Sequence, residues 1–304
     1  MNWVLLMLVL AVIALPYVIE ARRLRMTARL REDAPGRFAQ LSQGITHYRW
    51  VGPKTGPLVL CVHGLTTPSF VWEALAKGLA VAGYRVLTYD LYGRGFSDRP
   101  KGPQNRVFFR QQIEDLLEHE GIADRQITLI GYSMGGAIAT IFAADNPDRV
   151  QRLILLAPAG MGMVARGFAR FISITPWIGD WVMYLLYPDI LRKGIRAENY
   201  PGIAEQQERE LDFRGFVPAV LGSLRGVLSE RLGQEHRVLA SCDIPVMAIW
   251  GEDDTVIPLT AMGKLAEWNR SARQEVIEDA SHGVTYTHGD EVLRLVISFL
   301  AETD

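Results

Sequence analysis

Three short stretches carry side chains that could act together as a nucleophilic relay. Ser133 stands in "LIGYSMGG" between Gly131 and the pair Gly135 and Gly136, His282 stands in "EDASHGV", and Asp253 and Asp254 stand in "WGEDDTVIP". A serine hydroxyl is a weak nucleophile until a base takes its proton, and a histidine base needs a carboxylate to fix its tautomer and steady the imidazolium. Such a set performs acyl transfer through a covalent ester. Because only neutral His282 accepts the serine proton, activity is expected to fall on the acid side.

The glycines around Ser133 state a geometric demand. A chain that leaves a strand, turns at the serine and enters a helix at once leaves no room for side chains two residues before and after the turn. His282 follows the last of the expected strands, where the base must sit. Among the other histidines, His47 falls in a strand, His119 and His236 fall on solvated helix faces, and His288 starts the final helix in a capping position. Asp253 and Asp254 both lie in a loop that ends at Pro258, which opens the next helix. On this ground either could be the acid.

The elements that must position these side chains alternate along the chain. Strands are expected at "GITHYRWVG", "LVLCVHG", "YRVLTYDL", "QITLIGYS", "RLILLAPAG", "PVMAIWG" and "RQEVIED". Their apolar runs are short and continuous, as strands covered on both faces should be. Between them "FVWEALAKGLAVAG", "VFFRQQIEDLLEHEGI", "MGGAIATIFAADNP" and "TAMGKLAEWN" have helical periodicity, and "DEVLRLVISFL" closes the chain. The alternation predicts an α/β fold: a mostly parallel central sheet with helices on both faces. It breaks once, between Gly160 and Ile244, over a stretch rich in Trp, Met, Tyr and Phe. A long insertion at the C-terminal edge of a parallel sheet is where a lid sits.

The first residues differ in kind. From Trp3 to Ile19 the chain is almost unbroken apolar, and Arg22, Arg23, Arg25, Arg29 and Arg31 follow. Seventeen helical residues rise about 26 Å, close to a hydrocarbon core of about 30 Å, with Trp3 and Tyr17 suited to the interfaces. A secretory signal carries its charge before the apolar run. The order here predicts a single-pass anchor with the catalytic domain on the cytoplasmic side.

A formal net charge of -2 offers no basic field for nucleic acid, so no nucleic-acid partner is expected. Cys61 and Cys242 stand far apart and outside any metal-ligand spacing, so neither a disulfide framework nor a metal site is expected. The sequence does not set the oligomeric state.

Together the motifs are specific. The chain resembles the α/β-hydrolase fold serine hydrolases of the esterase and lipase type, including membrane-anchored monoacylglycerol-lipase-like members, from about residue 44 onward. "LCVHGLTT" is similar to that family's His-Gly oxyanion turn, "YDLYGRGFSDRP" to its following loop, "GYSMGG" to its nucleophile elbow, "GEDDTVIP" to its acid loop and "ASHG" to its histidine loop. The chain order Ser133, Asp254, His282 is the family's order. The resemblance selects Asp254 over Asp253 and implies an oxyanion hole from the backbone amides of Leu65 and Met134. It implies a structural part for His63, with Asp90 and Arg94 holding their loop.

It also implies three parts: an anchor helix and basic flank over 1–31, a hydrolase core over 32–160 and 241–304, and a helical cap over 161–240. Within the cap, Phe168, Phe171, Trp177 and Trp181 are expected beside the entrance to Ser133 and are the candidate substrate-binding residues. The implied activity is hydrolysis of carboxylic esters without cofactor, on monoacylglycerol-like or other single-chain lipid esters. Carbon–carbon bond hydrolases and acyl transferases keep the same triad, and non-catalytic receptors share the fold.

Overall fold

The computed structural model of the protein describes residues 3–162, 167–198 and 200–303. Eight strands form one sheet: β1 (Arg37–Leu41), β2 (Gly44–Val51), β3 (Leu58–Val62), β4 (Arg85–Tyr89), β5 (Ile127–Tyr132), β6 (Val150–Leu156), β7 (Val246–Gly251) and β8 (Arg273–Ile277). Their spatial order is β1-β2-β4-β3-β5-β6-β7-β8. β1 and β2 pair antiparallel, β2 joins β4 antiparallel, and the pairs from β4 to β8 are parallel. In β3, β5 and β7 every residue is buried. Helices cover both faces there, which is why these strands read as continuous apolar runs.

The helices of the core are α3 (Glu73–Val81), α4 (Arg106–His119), α5 (Met134–Asp145), α11 (Thr260–Trp268), α12 (Val284–Thr287) and α13 (Gly289–Glu302). One core cluster packs α4, α5 and α11 on one face of the sheet, and a second packs α3 and α13 on the other. The mostly parallel sheet wrapped on both faces is as expected. β1 is additional, an edge hairpin partner for β2 whose register runs from Arg37 opposite Tyr48 to Leu41 opposite Gly44.

The insertion between β6 and β7 is helical: α6 (Gly167–Ile174), α7 (Ile178–Glu198), α8 (Pro201–Glu210) and α9 (Phe216–Arg225) form a cap, and α10 (Gly233–Ser241) packs against α5 and α11 of the core. The cap has its own apolar interior of Ile172, Met183, Leu211, Phe216, Val217, Val220 and Leu221, against which Leu65 of the core also packs. His236 on α10 corrects the expectation of a solvated face. It is fully buried and stacked on Trp268 with ring centroids 6.1 Å apart.

At the N-terminus lie α1 (Trp3–Arg22) and the short α2 (Ala28–Arg31). α1 is long and apolar enough to cross a membrane, with mean hydropathy 2.5, and 11% of that window is buried. Its attachment is to the cap rather than the sheet. Trp181 Nε1 donates to the Val12 carbonyl over 3.0 Å, and Tyr17 meets Tyr184 edge to face at 5.5 Å. Further along, the Gly215 amide donates to Glu20 Oε1, and Leu24 exchanges backbone hydrogen bonds with Asp212 and Arg214.

Candidate active site

Ser133 sits between the end of β5 and the start of α5 with φ 52°, a left-handed conformation that a non-glycine residue holds only when its surroundings impose it. The imposition is visible atom by atom. The Ser133 amide donates to the Leu156 carbonyl, and the Ser133 carbonyl accepts from Gly136 and Ala159. A Cβ on Gly135 would lie 1.9 Å from the Val62 carbonyl oxygen, and one on Gly131 would lie 2.5 Å from that of Gly135. The three glycines are therefore space, not flexibility. They let α5 start against β3 and lift the hydroxyl to the sheet's edge.

The structure brings the three relay residues into one hydrogen-bonded line. His282 Nε2 lies 2.9 Å from Ser133 Oγ, and His282 Nδ1 lies 2.7 Å from Asp254 Oδ2. With Nδ1 donating to the carboxylate, Nε2 is left to accept the serine proton. Asp254 is 4% exposed, and its other oxygen accepts from the amides of Val256 and Ile257 at 2.8 and 2.7 Å. Asp253 is exposed and its amide donates to the Ala280 carbonyl. A further partner was not read from the sequence: the Tyr132 hydroxyl donates to the His282 carbonyl over 3.1 Å and its ring lies against the imidazole. Its place just before Ser133 is the only local signal of that role.

Leu65 follows β3 on the loop facing Ser133, and Met134 opens α5, so both amides stand at the sheet end that carries Ser133. Among the described residues neither amide donates to another protein group. The Met134 amide is also one of the unpaired donors at a helix N-terminus, where negative charge is favoured. Geometry of this kind can stabilise an oxyanion.

The loops behind these amides are held by buried polar groups. His63 Nε2 accepts from the Leu91 amide at 2.8 Å while Nδ1 donates to the Gly64 carbonyl at 2.7 Å, so the ring is neutral and braces the turn. Burial pushes its pKa down to about 4, which keeps it neutral. Arg94 is fully buried, and its guanidinium donates to the carbonyls of Leu65, Tyr92 and Ala219, to Gln104 and to Ser223. One side chain thus grips both the Leu65 loop and α9 of the cap.

Asp90 accepts from the amides of Ser69 and Phe96 and from His47 Nδ1 at 2.8 Å. Burial alone would raise its pKa, but His47 and these donors hold it far below the usual carboxylate range. For His47, burial lowers and the Asp90 carboxylate raises, and the net displacement is above 6.5. A group whose folded pKa is raised lends stability that is complete below its unfolded pKa and lost as the pH climbs through the folded one. In thermal unfolding, the wild type's advantage over His47→Gln is therefore expected to be full below pH 6.5 and to shrink above it. An advantage independent of pH would mean that the pair acts by packing alone.

The four cap side chains expected at the entrance have different surroundings. Phe168 packs against the cap's interior. Phe171 and Trp177 are 41% and 79% exposed, and Trp181 is engaged in the hydrogen bond to Val12. Phe171 stands on α6, Trp177 in the turn that follows it and Trp181 in the first turn of α7. Leu65 is the residue through which the cap's interior reaches the site. Among the described residues no cluster of His, Cys, Asp or Glu could hold a metal ion.

Known proteins agree with this architecture. The family model of the alpha/beta hydrolase fold matches residues 57–187. A 2-hydroxy-6-oxo-6-phenylhexa-2,4-dienoate hydrolase of Comamonas testosteroni is 26% identical over 295 residues, covering 90% of this chain and 99% of its own. Among solved structures, a thermophilic esterase of Thermogutta terrifontis superposes with TM-score 0.74 at 21% identity, over 88% of this chain and 99% of its own. A membrane phospholipase A described as a bacterial virulence factor superposes with TM-score 0.72 at 22% identity, over 99% of this chain and 97% of its own.

Proposed function

Because the chain is an α/β-hydrolase-fold protein, we propose that it is a serine hydrolase of carboxylic esters that works on single-chain lipid substrates at a membrane. The observation that carries the reading is the unbroken line from Ser133 through His282 to Asp254, with two unspent amides beside it. In the proposed reaction Ser133 Oγ attacks the ester carbonyl as His282 Nε2 takes its proton. The carbonyl oxygen becomes an oxyanion held by the amides of Leu65 and Met134, each worth about 3 kcal/mol in such sites. His282 then returns the proton to the leaving alcohol. Water, activated by the same imidazole, releases the acid and restores the serine.

The parts are assigned as core over 32–160 and 241–304, cap over 161–240 and anchor with basic flank over 1–31; residues 1, 2, 163–166, 199 and 304 lie outside the described ones. The anchor reading rests on α1 and the arginines that follow it, which favour a catalytic domain on the cytoplasmic side. An enzyme fixed at a bilayer meets dissolved lipid at high local concentration, and each methylene buried in a dry pocket adds about 0.8 kcal/mol.

On a glyceryl ester series kcat/KM is expected to climb from two-carbon to at least eight-carbon acyl chains, a length scale on which burial of methylenes accumulates. A maximum at acetate or butyrate would remove the lipid part and leave the relay untouched. A second reading, cleavage of a carbon–carbon bond in a ring-fission product, is favoured by the likeness to the Comamonas hydrolase. Turnover of a vinylogous diketone faster than of every ester would select it.

A further inference from the structure

We infer that the turn between α6 and α7 enters the lipid beside α1, so that the cap itself, and not only the anchor, is embedded in the near leaflet. The inference builds on the reading of α1 as a bilayer segment. Its ground is a mismatch of lengths. α1 is joined to the cap from Val12 onward, through Trp181, Tyr184, Gly215 and Arg214. Only residues 3–11 of the helix precede these joints, and nine helical residues rise about 13 Å, less than half of a hydrocarbon core of about 30 Å. The apolar run continues to Ile19, so putting it in hydrocarbon carries the start of α7 in with it.

α7 runs parallel to α1 at the contact, since Val12 meets Trp181 and Tyr17 meets Tyr184. The residues before Trp181 therefore lie at or beyond the depth of Val12, toward the N-terminal end of α1. Those residues are suited to lipid and poorly suited to water: Ile174, Trp177 and Ile178 are 66%, 79% and 61% exposed. Trp177 is held at φ 67°, a conformation costly for a bulky residue, in the turn that leaves its indole outside. Asp180, the nearest acid on α7, is neutralised by an ion pair with Arg225.

Charges at the other end of α1 fit the headgroup layer. Arg25, Lys101 and Arg214 line a cavity of about 860 Å³ between the end of α1, the loop after β4 and the start of α9. Glu20 and Asp98 line the same cavity, and Glu20 lies about 12 Å along the α1 axis from Val12 at about 1.5 Å per residue. Tyr17 and Tyr184 stand between the two levels, where tyrosine rings collect in membranes. The occupant of the exposed turn is the acyl layer of the bilayer that α1 enters.

The test uses full-length protein in vesicles of phosphatidylcholine with a minority of phosphatidylglycerol. A fluorophore is placed by Leu8→Cys, Trp177→Cys or Val81→Cys, each with Cys242→Ser; Val81 is 91% exposed on the core and reports the water side. The label at 177 is expected to be quenched by lipids brominated in the acyl chains and shielded from aqueous iodide, as at 8, with the reverse at 81. A label at 177 as open to iodide as at 81, with 8 embedded, overturns the inference. Shielding from both quenchers also overturns it, since protein, such as a second copy of the chain, would then cover the turn. If 8 itself is open to iodide, the reading of α1 fails first.

A second measurement has a functional readout. Ile174→Glu with Ile178→Glu is expected to lower hydrolysis of a long-chain glyceryl ester held in these vesicles by about tenfold or more, and to leave soluble nitrophenyl butyrate unaffected. Equal loss on both substrates would overturn the lipid role of the turn without bearing on ester chemistry. Failure to hydrolyse either substrate in the wild type would instead sink the proposed function.

Discussion

Ser133→Ala is expected to lower kcat on nitrophenyl esters by about a thousandfold or more while leaving the unfolding temperature close to that of the wild type. The expectation follows from what each atom of Ser133 does. Its amide and carbonyl hold the elbow through Leu156, Gly136 and Ala159, and alanine keeps all of these. Among the described residues its hydroxyl meets only His282 Nε2, at 2.9 Å. Residual hydrolysis then comes from water in a site that still binds the ester and stabilises an oxyanion. More than a few per cent of wild-type kcat in the variant would mean that Ser133 is not the nucleophile. A fluorophosphonate that labels the wild type and not the variant would give the same answer without turnover.

The second large effect is at the acid. Asp254→Asn is expected to cost about ten-thousandfold in kcat, on the scale seen when such a carboxylate is made an amide. Asp254 faces donors on every side described: His282 Nδ1 on one oxygen, and the amides of Val256 and Ile257 on the other. An asparagine satisfies the two backbone amides only with its carbonyl, which turns its NH2 toward His282. The imidazole must then accept at Nδ1 and carry its proton on Nε2, where it can no longer take the serine's. Asp253→Asn, on an exposed side chain whose backbone alone is used, should stay within about twofold. Comparable losses in both variants would argue that the loop's charge, and not a hydrogen bond to His282, is what matters.

What was legible beforehand divides along a physical line. Strands β3 to β7 announce themselves because burial on both faces leaves nearly continuous apolar runs. β2 and β8 are mixed in polarity and half-buried and are read from their place in the alternation, and each relay residue sits in a loop after a strand. β1 carries no such run: in "RFAQL" only Ala39 and Leu41 are buried, so an edge strand reads like a loop. His236 looked solvated because nothing local says that Trp268 will lie on its ring. The exposure of Phe171 and Trp177 was not legible for a related reason, since helical periodicity locates an apolar face without saying whether protein or something else will cover it. The joining of α1 to the cap spans 169 residues between Val12 and Trp181 and has no local signature at all.

Arg94 gives the cap a consequence for how this protein can change over generations. Its guanidinium ties the Leu65 carbonyl to the Ala219 carbonyl and Ser223 hydroxyl of α9. Under the proposed roles, the loop that carries the charge-stabilising Leu65 amide and the cap helix α9, whose apolar face packs in the same cluster as Leu65, share one anchor. Selection for a new substrate through α9 therefore acts on the rate of bond breaking as well, because a displaced Ala219 or Ser223 redirects the group that holds Leu65. Taste and speed are inherited together here, and a lineage altering the one must re-tune the other through Gln104 or Tyr92, the remaining acceptors on the same side chain.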